Sequence, residues 1–214
     1  MIFTLITILT FLCWISALLL IRGQKSFFFH FKWFLGLATL VELMGYLWYF
    51  QLGYSSNHWI FNAFLFVEIC FLSFIFSQVL SRYYNYRPWL FAGLAIFVMS
   101  YFTESIGDSF REMSMMSKKL ASVYIILLCL SYYYHLLRKD EYVLLKFHPD
   151  FWLVTGCFFF YFGSATCDIF FDYLLELNQV SLKPVRYIIF VVLNFILYLC
   201  WSYSFLCKSR PTIL

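Results

Sequence analysis

Seven runs of apolar residues, most of them long enough to cross a lipid bilayer, constrain this chain more than any other feature. A hydrocarbon core about 30 Å thick needs about 20 residues of helix. The runs lie near residues 2–21, 32–52, 59–80, 88–103, 120–137, 151–175 and 185–206. Because a segment inside the bilayer must pair its own backbone polar groups, each run predicts a transmembrane helix.

The composition supports the same fold class for the whole chain of 214 residues. Only 12% of the residues are charged, against about 25% in soluble domains. The mean hydropathy is +0.81. We therefore predict an all-α membrane protein, with residues 1–214 forming a single bundle of seven transmembrane helices. The segments between the runs are short, so we expect no soluble domain on either side.

The distribution of Lys and Arg between the runs predicts the orientation. With the N-terminus outside and the C-terminus inside, the inner side holds most of them. The inner set is Arg22, Lys25, Lys32, Arg82, Arg87, Arg138, Lys139, Lys146, Lys208 and Arg210, and the outer set is Arg111, Lys118, Lys119, Lys183 and Arg186. The first run is followed by positive charge and has no cleavage motif, so we interpret it as an uncleaved helix.

The net charge of +4 does not indicate a nucleic-acid partner, because the basic residues lie almost entirely between the apolar runs. The 7 cysteines lie in or at the end of those runs, without a C-x-x-C pair or a histidine at metal-ligand spacing. We predict no metal, no cofactor and no disulfide framework. The partner that we expect is the lipid bilayer.

Three polar residues lie near the middle of predicted helices. Glu42 and Glu68 are about ten residues into the second and third helices, and Asn194 is about ten residues into the last. Charged side chains at this depth cost at least about 2.5 kcal/mol, so they usually face the protein interior and are functional. No Lys, Arg or His lies at the same depth in the sequence. We therefore expect protonated carboxyls that bond to each other or to Asn194.

Polar and aromatic residues share one face on two of these helices. Glu42, Tyr46 and Tyr49 lie on one face of the second helix, and Tyr187, Asn194, Tyr198 and Trp201 form a stripe on the seventh. Both stripes are typical of an internal pocket. The structural alternative is that the carboxyls only hydrogen-bond neighbouring helices and hold them together.

The sixth helix carries a ladder of polar residues at intervals of four, Ser164, Asp168, Asp172 and Glu176. An acidic vestibule that admits protons, cations or an amine from outside would explain it, and a solvated helix end would explain its last residues equally well. On another face, Gly156 and Gly163 predict close approach of a neighbouring helix.

Residues 148–175, "HPDFWLVTGCFFFYFGSATCDIFFDYLL", resemble a pattern in an uncharacterised family of seven-transmembrane-helix membrane proteins of Bacteroidota. The segments "VELMGYLW" (41–48), "NAFLFVE" (62–68) and "LNFILYLCW" (193–201) are similar to that family as well. The resemblance implies a multi-pass protein of the bacterial inner membrane. No activity is implied by it.

Two functional classes remain open from the sequence. The first is a sensory or accessory binding module, with a midplane pocket for a small or lipidic ligand and a membrane or cytoplasmic signalling partner. The alternative is a proton- or cation-coupled transporter of a small solute that uses Glu42 and Glu68. An enzyme is disfavoured, because no nucleophile with a base and no metal set accompanies the carboxyls. The predicted ligand- or proton-binding residues are Glu42, Tyr46, Glu68, Asp168, Asp172, Asn194 and Tyr198.

Overall fold

A computed structural model describes residues 3–21, 26–48, 57–83, 85–108, 114–138, 144–170 and 185–209. Regular structure in these ranges is helical throughout. The seven long helices are α1 (Phe3–Leu20), α2 (Phe28–Tyr46), α3 (His58–Leu80), α4 (Arg87–Asp108), α5 (Met115–Leu137), α6 (Pro149–Ile169) and α7 (Val185–Ser209). A short 3₁₀ helix, Leu145–Phe147, precedes α6.

Four of these helices, α3, α5, α6 and α7, are long and apolar enough to cross a membrane. Helix α1 contributes a shorter apolar stretch, Leu5–Leu20. This supports the prediction of a helical membrane protein.

Six helices form a closed ring in the order α1, α2, α3, α5, α6, α7, and α4 packs outside it against α3 and α5. We call the end where α2, α4 and α6 begin the aromatic end, because Phe28, Phe31, Phe71, Trp201 and Phe205 fill its interior. We call the opposite end, which bears Glu104, Lys118, Asp168 and Arg186, the polar end.

The aromatic end is held by ring contacts between α2, α3 and α7. Phe31 lies at the centre, with ring centroids 5.1 Å from Phe71, 5.2 Å from Trp201 and 5.4 Å from Phe205. Edge-to-face geometry of this kind adds attraction beyond the buried area. One ion pair closes the end, with Arg82 Nη1 2.7 Å from Oδ2 of the buried Asp150.

Helix bounds differ from the predicted spans where polar residues obscure the hydropathy pattern. Helix α4 continues to Asp108, past the predicted limit at 103, and α5 begins at Met115 instead of 120. The Glu104 carboxylate explains the early start of α5, since it accepts the backbone N–H groups of Met116 and Ser117 at 3.1 and 2.9 Å. An acid from the neighbouring helix thus caps α5. Positions 171–175 of the predicted sixth span lie outside the described residues.

The two glycines of α6 confirm the predicted close approach, which is to α7. A Cβ on Gly156 would lie 3.0 Å from Cys200 Cβ and 3.2 Å from the Leu197 carbonyl oxygen. A Cβ on Gly163 would meet the side chain of Leu193. Small residues let two helix backbones approach closely, so these positions bring α7 against the face of α6 beside the site.

Candidate functional site

Glu68 lies in the middle of α3 and is hydrogen-bonded to α6 across the ring. The Tyr161 hydroxyl donates to Glu68 Oε1 at 2.8 Å. Tyr161 is buried, whereas the Glu68 side chain is partly buried. The expectation that Glu68 bonds to Glu42 or Asn194 is therefore wrong, because a tyrosine hydroxyl from the sixth helix takes that place.

Glu42 of α2 is the second interior carboxyl. It is partly buried and lies within electrostatic range of Glu68. Among the described residues, Glu42 makes no hydrogen bond. The fold thus brings together two carboxyls whose relative position the sequence left open, and it provides a protein donor for only one of them.

The remaining predicted residues of α2 and α7 have different surroundings. Tyr198 lies within electrostatic range of both Glu42 and Glu68. Asn194 is buried, but its amide donates to the Phe190 carbonyl of its own helix at 2.8 Å. Tyr46 is partly buried at the end of α2, one turn beyond Glu42. The carboxyl pair therefore has Tyr161, Tyr187 and Tyr198 among its polar neighbours, while Asn194 donates within α7.

Asp168 lies at the polar end of α6 between two basic residues. Arg186 Nη2 is 3.0 Å from Asp168 Oδ1, and Lys118 Nζ is 3.8 Å from Oδ2. Asp168 is only 8% exposed. Among the described residues, Asp168 therefore lies beside two cations, and the predicted acidic vestibule stays a prediction. Asp172, Glu176 and Tyr49 lie outside the described residues.

Lys118 connects this cluster to the carboxyl pair. Its ammonium lies within electrostatic range of Glu68 as well as Asp168, and 4.7 Å from the centroid of the Phe190 ring. Glu68 is thus influenced by a cation, although the sequence places no Lys, Arg or His at its depth. Lys118 lies near a helix start in the sequence, but its long side chain extends into the bundle.

The interior face of α6 joins the two groups of residues. Tyr161, Ser164 and Asp168 are three and four residues apart, so they lie on one face of the helix. All three are buried. Ser164 Oγ makes no hydrogen bond to any described protein group, and neither does Asp168 Oδ2. A buried polar atom without a protein partner is uncommon and indicates bound water or a ligand.

Sequence reasoning missed Tyr161 and Lys118. Tyr161 could have been found by extending the Ser164–Asp168 ladder one helical turn toward the start of α6, because the intervals of three and four continue there. Nothing in the local sequence distinguishes Lys118 from Lys119. The packing of α5 against α6 directs Lys118 inward and leaves Lys119 exposed.

A groove of about 230 Å³ runs between α1 and α7. Its lining is Leu9, Leu12, Cys13, Phe195, Tyr198, Leu199 and Ser202. Tyr198 therefore belongs both to this mainly apolar groove and to the surroundings of the carboxyl pair. Within the described ranges, no group of three or more His, Cys, Asp or Glu side chains could hold a metal ion.

Searches of protein-family models, curated proteins and solved structures return no match to this chain.

Proposed function

We propose that this chain is a multi-pass protein of the bacterial inner membrane that binds a small or lipidic ligand between α2, α3, α6 and α7. In this proposal all seven helices cross the bilayer, with the N-terminus outside and the C-terminus inside. The protein acts as a sensory or accessory module, and ligand binding is passed to a membrane or cytoplasmic partner. The resemblance to membrane proteins of Bacteroidota supports the bacterial placement.

The exposed apolar faces of α1, α2 and α4 support seven crossings. Side chains exposed along these helices include Ile8, Leu12, Trp33, Leu40, Trp89, Ile96 and Met99. Exposing large apolar faces of this kind to water is unfavourable, and contact with lipid tails removes that cost. Trp33 and Trp89 lie at the aromatic end and Trp59 at the polar end, as expected for residues at the two membrane interfaces.

The described basic residues support the orientation. The aromatic end bears Lys32, Arg82, Arg87, Arg138, Lys146 and Lys208, and the polar end bears Lys118, Lys119 and Arg186. Cytoplasmic loops carry the excess of Lys and Arg. The aromatic end is therefore the cytoplasmic one in this proposal, and the polar end faces outward.

The observation that supports binding most directly is the Glu42 carboxyl, which has no hydrogen bond among the described residues and lies near Glu68. An interior acceptor without a donor is costly, and a ligand with a positive charge or an N–H group removes that cost. Tyr161 fixes Glu68 and leaves Glu42 available. The adjacent groove at Tyr198 offers an apolar surface to the chain of a lipidic ligand.

Hexylamine tests this proposal, with hexanol as the matched neutral probe. The purified protein in lipid nanodiscs is heated with each probe, and the unfolding temperature is measured. We expect the amine to stabilise the native protein, by about 2.7 kcal/mol at a hundredfold excess over Kd. We expect the alcohol to have no comparable effect.

The carboxyl variants decide where the amine binds. E42Q and E68Q should each remove most of the amine-dependent shift, whereas E104Q at the polar end should retain it. Equal shifts in all four proteins would mean that the amine acts through the lipid, and the binding proposal would then be rejected.

A proton- or cation-coupled transporter is the second candidate. It is favoured by the electrostatic coupling of Glu42 to Glu68, since two acids that interact share their protonation steps. Proton uptake by liposomes, followed with an entrapped pH dye while amine is added outside, separates the classes. A transporter gives amine-driven proton movement above the level of protein-free liposomes, and E68Q abolishes the excess, whereas a binding module gives only the protein-free level.

A further inference from the structure

We propose that the interior face of α6 conducts protons from the polar end of the bundle to the Glu68–Glu42 pair, with the Ser164 hydroxyl and bound water as the relay. This rests on the proposed function, because the path carries away the proton that the carboxyl pair releases when a cationic ligand binds and returns a proton when the ligand leaves. The positions of three α6 side chains and the unused hydrogen-bonding capacity of two of them support it.

Spacing along the helix is the first feature that supports the path. Tyr161 and Asp168 are seven residues apart, about 10.5 Å along the axis, and Ser164 lies between them, about 4.5 Å from the level of Tyr161. Ser164 Oγ and Asp168 Oδ2 have no hydrogen bond to any described protein group, so in this path water connects the three side chains. The Tyr161 hydroxyl already reaches Glu68 Oε1, so the last step of the path is in place.

The second step is the unused capacity of the buried atoms. Ser164 is 0% exposed, and its Oγ has no described protein partner. Ser and Thr inside α-helices commonly donate to the carbonyl four residues earlier, as Thr155 and Thr166 do in α6. Ser164 does not, so its hydroxyl remains able to donate to one water and accept from another.

The proton balance of the path is simple. A proton from the outer solution binds Asp168 Oδ2, and Asp168 passes it to water at Ser164. Each relay oxygen accepts one proton and releases one, so its covalent state is unchanged. Tyr161 finally releases its hydroxyl proton to Glu68 and accepts one from the water. The net result is one proton moved from solvent to the Glu68 carboxylate.

Lys118 responds to this transfer. Its ammonium lies within electrostatic range of both Glu68 and Asp168. Once Glu68 is neutral, it no longer attracts the Lys118 ammonium, which then interacts mainly with Asp168. This favours the ionised form of Asp168, which can accept the next proton from the outer solution. The other titratable groups that face Glu68 or Asp168 are Glu42 from α2, Cys157 and Cys167 from α6, and Arg186 and Tyr198 from α7.

Infrared measurement of hydrogen–deuterium exchange at Glu68 tests the path. The band of the protonated Glu68 carboxyl is identified as the band that E68Q removes, at mildly acidic pH in nanodiscs. The rate at which it shifts after dilution into D₂O reports proton access. We expect S164A and D168N each to slow this exchange by about tenfold or more. A tenfold change corresponds to an increase of about 1.4 kcal/mol in the activation free energy of one relay step.

The aromatic end provides matched controls. Ser204 is also 0% exposed and Asp150 is 1% exposed, and Asp150 pairs with Arg82 as Asp168 pairs with Arg186. S204A and D150N should leave the exchange rate within about twofold of the wild type, because no part of the path uses them. Thermal unfolding of all four variants checks that they are folded.

Three outcomes would overturn the path: unchanged exchange in S164A and D168N, equal slowing in all four variants, or no protonated Glu68 band. Each is distinguishable from a failure of the proposed function. The hexylamine shift depends on Glu42 and Glu68 alone and would persist without the path. Conversely, the exchange rates can follow this pattern in a protein that binds no amine.

Discussion

The two ends of the bundle use opposite means to hold the same helices together. At the aromatic end, buried Phe and Trp rings interlock and one Arg82–Asp150 ion pair closes the packing. Toward the polar end, the interior holds carboxyls, hydroxyls and an inward-directed lysine, and the Ser164 hydroxyl there has no hydrogen bond to a described protein group. Apolar packing has few alternative arrangements, whereas polar groups can exchange partners. We therefore expect the half of the bundle at the aromatic end to be rigid and the half at the polar end to be adjustable.

Replacing Phe31 by Ala should have the largest effect on stability. Phe31 is fully buried and contacts the rings of Phe71, Trp201 and Phe205. Removing the ring leaves a cavity that rigid neighbours cannot fill, at a cost of about 3–5 kcal/mol. Thermal or denaturant unfolding in detergent measures it. F29A, two residues away on the exposed face of α2, is the control and should cost much less.

A loss for F31A no greater than that for F29A would show that the aromatic end rearranges easily. The distinction between a rigid half and an adjustable half would then fail.

The same Gly-to-Ala change at two positions of α6 compares the halves directly. In G156A the new methyl group meets Cys200 Cβ and the Leu197 carbonyl oxygen of α7, neither of which can move alone. We expect destabilisation of about 1–3 kcal/mol. In G163A the methyl group meets the side chain of Leu193, which can change rotamer, and Ala gains about 1 kcal/mol in helix propensity.

We therefore expect the unfolding free energy of G156A to be lower than that of G163A by more than about 1 kcal/mol. Equal values would contradict the idea that the α6–α7 contact adjusts more readily near the polar end.

Removing the acid that caps α5 should have the smallest of these effects. Glu104 accepts the N–H groups of Met116 and Ser117 and the Ser117 hydroxyl. E104A leaves these donors to water at the polar end, so we expect a loss of about 1 kcal/mol. T103A is the control, because Thr103 is exposed and donates only to the carbonyl of Ser100. A loss above about 3 kcal/mol would show that the polar end is as constrained as the aromatic one.

Much of the fold follows from the apolar runs. Each predicted span coincides with a helix because the requirement to pair backbone groups acts within a single segment. The exceptions lie where a distant residue decides. Helix α5 begins in a polar stretch because Glu104 of α4 supplies its cap, and no local pattern around Met115 reveals that contact. The glycines of α6 were identifiable because a missing side chain permits close approach whichever helix is the neighbour.

The candidate site was only partly predictable. Glu42, Glu68 and Asp168 were identifiable from sequence, because a charge in an apolar run is costly wherever the helix packs. Their partners were not. Tyr161 binds Glu68 from 93 residues away along the chain, and Lys118 and Arg186 reach Asp168 from two other helices. The sequence by itself determined the helical membrane character and the acids that need an explanation, since both depend on local transfer free energies. Only the tertiary structure decided which donors and cations surround those acids, because that depends on the order of helices around the ring and on their rotations.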